Sequence, residues 1–71
     1  MTAPTPGATY RHYKGNLYKV VCLAKLEADL ADAVVYQDTT DSTKIWVRPL
    51  ADFIEEVTVD GVKKPRFEYI G

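Results

Sequence analysis

The segment Lys44-Ile45-Trp46-Val47-Arg48 sets a tryptophan between two cations at alternating positions. In an extended chain alternate side chains share a face. If Ile45 and Val47 turn toward a core, Lys44, Trp46 and Arg48 therefore stand together on the opposite side. Tyr10, Tyr13 and Tyr36, with Arg11, His12, Lys14 and Arg66, offer more of the same chemistry. Aromatic planes stack on flat heterocycles, and arginine forks grip carboxylate or phosphate oxygens. We therefore take Tyr10, His12, Tyr36, Trp46, Arg48 and Arg66 as the residues that bind a ligand or partner. The competing account is structural: Trp46 covers the open side of a thin core and Arg48 pairs with Glu55 or Glu68.

Other constellations carry less. Cys22 occupies the apolar face of the strongest strand pattern and reads as inert core, since a nucleophilic thiol needs an exposed, electropositive setting. His12 and Ser42, the single histidine and the single serine, nominally make a base and a nucleophile, but Ser42 lies in a polar turn where serine is common. The pair Glu55-Glu56 reads as a solvated rim. The glycines at 7, 15, 61 and 71 do not form a phosphate-cradling loop. One cysteine and one histidine cannot supply the four ligands of a Cys/His zinc site. The expectation is a non-catalytic protein with no cofactor.

The elements that must position these residues are short. With 71 residues, 46% of them apolar and 27% charged, the chain is one small globular domain with a thin core. No disulfide can staple it, so self-association is expected, most simply a dimer. Nine Lys/Arg against ten Asp/Glu leave a net charge of −1, which argues against wrapping a long nucleic acid but not against gripping one small anion. The longest apolar run, Val20 to Ala24, is far below a membrane span, and we read no signal peptide at the N-terminus. The unpaired cysteine points to the cytoplasm.

Residues 1–8 read as a flexible lead-in to a single domain over residues 9–71. Strand patterns begin at Thr9, turn at Lys14-Gly15-Asn16, and continue from Leu17 to Lys25, where Tyr18, Val20, Cys22 and Ala24 alternate as one buried face. Leu26 to Asp32 reads as a loop or widened hairpin end. Strands follow at Ala33–Asp38 and Lys44–Arg48, separated by the polar turn Thr39–Thr43. Pro49 stops the strand, and Leu50, Phe53, Ile54 and Val57 take helical spacing. Glu56–Val59, the turn Asp60-Gly61 and a closing strand Arg66–Ile70 complete the chain. The expected core is Tyr18, Val20, Cys22, Val34, Ile45, Val47, Phe53, Val57 and Phe67. The whole reads as mainly β, a small barrel or strongly bent sheet of five or six strands with one helical turn.

The run from Tyr10 to Val20, YRHYKGNLYKV, resembles the opening of a bacterial and phage family of small domains of unknown function. The resemblance continues through Val34-Val35-Tyr36, Trp46-Val47-Arg48-Pro49-Leu50, Phe53, Val57, Val59-Asp60-Gly61 and Pro65-Arg66-Phe67. It implies an SH3-like small β-barrel and no specific activity. Many members carry A-x-H-S-E-T after the long strand. Here Ala24-Lys25-Leu26-Glu27-Ala28-Asp29 puts leucine at the histidine position.

The leading functional expectation is a module that binds or sequesters a small anionic, nucleotide-like ligand on its outer face or between subunits. Compact phage proteins that sequester host signalling nucleotides give it a biological setting. The alternative is a protein-interaction module of the SH3-like type. An RNA-binding accessory domain ranks third, because the charge is near neutral.

Overall fold

Strand β1 (Thr9–His12) folds back on β2 (Leu17–Lys25) through a turn in which Gly15 takes φ 109°, a conformation open to glycine. The turn is closed by His12 N–H donating to the Asn16 carbonyl at 2.8 Å and Gly15 N–H to His12 at 2.7 Å. These relations come from a computed structural model that describes residues 4–71. Strand β3 (Asp32–Asp38) runs antiparallel along the other side of β2, and β4 (Ile45–Pro49) along β3. Asp38 and Asp41 fasten the turn between β3 and β4. Asp38 Oδ1 accepts from Thr40 N–H at 2.8 Å and Thr40 Oγ1 at 2.7 Å, and Asp41 Oδ1 accepts from Thr43 Oγ1 at 2.6 Å.

After Pro49 the chain makes the helical turn α1 (Leu50–Phe53), which packs on β3 and β4 and drives Phe53 into the core. A hairpin of β5 (Glu56–Val59) and β6 (Val62–Pro65) follows as a separate two-stranded sheet, turning at Asp60 (φ 52°) and Gly61 (φ 78°). Both residues at positive φ is the signature of a tight hairpin turn matched to strand twist. Strand β7 (Phe67–Tyr69) then pairs with β1. The main sheet runs β4-β3-β2-β1-β7, all antiparallel. The architecture is mainly β with one short helix, as expected. The sheet is open rather than closed into a barrel, with β4 and β7 at its edges.

The core is aromatic. Val20, Val34, Tyr36, Phe53 and Phe67 are buried together, with Tyr10, Tyr18 and Leu50 against them. Phe53 and Phe67 stack 4.1 Å apart at 6°, and Tyr36 meets both edge-on at 5.6 and 5.3 Å. Three expected core residues lie elsewhere. A bulge at Val21 makes Val20 pair with Tyr36 but Cys22 with Val35, so Cys22 moves to the opposite face and is exposed. Ile45 and Val47 are 54% and 58% exposed. The parity of β4 holds and its sense is reversed: Trp46, opposite Tyr36, faces the core side, and Ile45 and Val47 face out. Val57 is half-buried.

Of the N-terminal lead-in, residues 1–3 lie outside the described residues. Pro4 and Ala8 are buried, and Gly7 N–H donates to the Val20 carbonyl at 2.9 Å beside the bulge. From Pro4 onward the segment is docked on the domain.

Candidate functional site

Direct cross-strand partners share a face. The pairs Trp46–Tyr36, Tyr36–Val20, Tyr10–Tyr18 and His12–Phe67 therefore gather the aromatic residues of five strands on one side of the sheet. The core fills most of that side. Where Trp46 and Arg48 reach beyond it, a cleft of about 190 Å³ opens, lined by His12, Tyr18, Tyr36, Trp46, Arg48 and Phe67. Trp46 is 47% exposed at its rim.

Arg48 is held over the aromatic floor. Its Nε donates to Tyr36 Oη at 3.4 Å, and its guanidinium lies 5.9 Å from the centre of the Phe67 ring. Among the described residues the ion pairs join Arg11 to Glu68 at 4.0 Å and Lys25 to Asp32 at 2.6 Å. Glu68 is thus engaged with Arg11, and neither Arg48 nor Arg66 has a carboxylate partner. Arg66 sits just before Phe67. Its N–H donates to the Glu55 carbonyl at 3.0 Å and its carbonyl accepts from Tyr13 N–H at 2.9 Å, while its buried Nε has no hydrogen-bond partner among the described residues.

His12 links these cations. Its ring meets Phe67 edge-on at 4.9 Å and lies 4.5 Å from Tyr13. Burial, followed by the positive charges of Arg48, Lys14 and Arg66, holds its pKa below the ordinary 6.5. Its Nδ1 accepts the Lys14 N–H at 3.2 Å, which assigns the proton of the neutral ring to Nε2. The charges of Arg48, Lys14 and Arg66 that disfavour a proton on the ring favour an incoming anion. A second groove, about 300 Å³, lies beyond His12 and is lined by Arg11, His12, Tyr13, Lys64, Pro65 and Glu68.

Of the six positions singled out in the sequence, the structure brings His12, Tyr36, Trp46 and Arg48 into one cleft. Arg66 acts on His12 through its charge without lining the cleft. Tyr10 is a packing residue, edge-on to Phe53 at 5.2 Å and to Tyr69 at 5.6 Å. Burial, with the Tyr69 phenol beside it, raises its pKa above 10.0. Sequence reasoning missed Tyr18 and Phe67 as cleft residues. The signal for Tyr18 was its parity with Val20. That for Phe67 was its place opposite His12, which requires the pairing of chain ends.

A family model covers residues 8–69. The chain belongs to the family described as Protein of unknown function (DUF1653). The match spans both strands that carry the cleft's cations and the hairpin arm. No curated protein and no solved structure matches the chain. No helix among the described residues is long and apolar enough to cross a membrane. No group of three or more His, Cys, Asp or Glu side chains among them could hold a metal ion.

Proposed function

We propose that this DUF1653 domain is a non-catalytic module that binds a small planar anion, nucleotide-like in chemistry, with its charged end between Arg48 and His12 and its ring on Trp46. The observation that carries the reading is the lining of the cleft. It combines a cation free of any carboxylate partner among the described residues, a histidine held toward its neutral form with its proton on Nε2, a half-exposed indole and no acidic side chain. A volume of 190 Å³ suits a phosphate or carboxylate group rather than a whole nucleotide, so the ring lies outside, on the tryptophan. Stacking there contributes about 1–3 kcal/mol and a charge-assisted hydrogen bond about 1.5–3 kcal/mol. The SH3-like kinship, a cytoplasmic setting and a sequestering role belong to the same proposal. They are supported by the family resemblance, the single thiol and the small site.

Thermal shift and calorimetry with adenosine monophosphate, adenosine and inorganic phosphate test it. The monophosphate stabilises the domain more than either half alone. Equal, negligible shifts for all three overturn the reading. A second reading, capture of a peptide C-terminus, is favoured by the exposed Leu23 and Trp46 on the same face. An extended peptide ending in a free carboxylate separates the two.

A further inference from the structure

The β3–β4 ladder determines which backbone groups of β4 remain free. Asp38 N–H donates to the Lys44 carbonyl at 3.0 Å, and the register continues through Tyr36–Trp46 and Val34–Arg48. Hydrogen-bonded pairs alternate along an antiparallel ladder, so the N–H and C=O of Trp46 and Arg48 point to β3. Those of Ile45 and Val47, with the carbonyl of Pro49, point away from the sheet. Pro49 thus sits where its missing N–H breaks no internal bond. The strand is at the edge of the sheet, carries no bulge, and exposes Ile45 and Val47. Edges of this kind invite another strand.

The strand is also self-complementary. Its middle residue is Val47, and a two-fold axis there would pair β4 antiparallel with the β4 of a second copy over its full length. Val47 would exchange two hydrogen bonds with its own counterpart. Ile45 N–H would donate to the Pro49 carbonyl of the other copy, and the reverse. On the cleft side each Trp46 would lie opposite the other copy's Arg48, an attractive aromatic–cation pair, and on the outer side Ile45 would lie opposite Pro49. The two Arg48 side chains would be diagonal, about 7–8 Å apart at the backbone, each nearer a tryptophan than the other arginine. A slip toward the chain's N-terminus would set Arg48 opposite the other copy's Lys44 and Pro49 against its β3–β4 turn, and one the other way would set the two Arg48 side chains face to face.

We propose that two copies of this chain join edge to edge through β4, centred on Val47, so that each cleft is flanked by the other copy's Arg48. Light scattering and sedimentation from about 5 µM to about 500 µM test this, because a single edge pairing is small beside a standard interface and its dissociation is concentration-dependent. The wild-type chain reaches twice its 8.0 kDa mass at the upper concentrations. Val47→Lys sets two ammonium groups face to face, and Val47→Pro removes only the outward N–H. Both remain monomeric, with folding checked by circular dichroism. Val62→Lys, a change at an equally exposed aliphatic residue on the hairpin arm (63% exposed), leaves the dimer intact. A wild-type monomer throughout, a dimer retained by both Val47 variants, or a dimer lost with Val62→Lys overturns the proposal.

Discussion

Replacing Arg48 by alanine separates a binding role from a structural one. The side chain's contacts in the folded protein are few and long. The Nε–Oη hydrogen bond to Tyr36 is 3.4 Å, near the limit of useful geometry, and the guanidinium lies 5.9 Å from the Phe67 ring centre. Each contributes about 0.5–1 kcal/mol at that range, or about 1–2 kcal/mol together. Part of this is returned, because Arg48 repels a proton on His12. A domain of 71 residues has a total stability of about 4–11 kcal/mol, so the variant remains folded. Ligand binding carries a larger share. Loss of one charge-assisted hydrogen bond of about 1.5–3 kcal/mol weakens affinity roughly 10- to 150-fold. Urea denaturation measures the first quantity and calorimetric titration with adenosine monophosphate the second. A loss of stability above about 3 kcal/mol, or unchanged affinity in a folded variant, refutes the assignment.

Phe53→Ala should cost about 3–5 kcal/mol, since the ring is 2% exposed and stacked on Phe67, and urea denaturation reads the loss as a much lower midpoint. Cys22→Ser should shift stability by less than about 0.5 kcal/mol, the thiol being on the open face, and the native thiol should react readily with Ellman's reagent. Gly61→Ala places a side chain at φ 78° and should cost about 1 kcal/mol by the same assay. The lowered pKa of His12 means that the unfolded chain takes up a proton first as pH falls below 6.5. Stability should therefore decline from that point and level off below the folded-state value, while His12→Asn flattens this part of a melting-temperature profile. A bound anion reverses the preference for the neutral ring, so affinity for the monophosphate should rise on acidification from pH 8 to about 6, read by calorimetry in two buffers. Asp38 and Asp41, held below 3.8 chiefly by hydrogen bonds from Thr40 and Thr43, act in a separate, more acidic window. The stability they lend is present above 3.8 and is lost as pH falls through their folded values.

The grouping of Trp46 with Arg48 was legible because side chains in a strand repeat every two residues. The side they occupy was not. Ile45 and Val47 are as apolar as any core pair, and only the arrival of Phe53 and Phe67 from distant segments decides which face is covered. Cys22 was misplaced by one inserted residue at Val21, which no local pattern marks. Strand Val62–Pro65 is half lysine and ends in proline. It is extended because the Asp60-Gly61 turn pairs it with β5, not through any preference of its own. The site shows the same division. Its chemistry could be read from residue types, whereas the exclusion of Tyr10 and the freedom of Arg48 from acids depend on three-dimensional pairing.

The stack of Phe53 on Phe67 brackets the whole β5–β6 arm. Glu55 and Arg66 are joined at its base by a backbone hydrogen bond of 3.0 Å, so the chain leaves and re-enters the domain at almost the same point. An excursion clasped in this way is separable from the sheet it departs from. Lengthening it costs only the slowly growing entropy of a longer loop, about 0.6 kcal/mol per doubling. For the protein engineer, the tip at Asp60-Gly61 is the place to graft a reporter or an affinity peptide without disturbing the cleft.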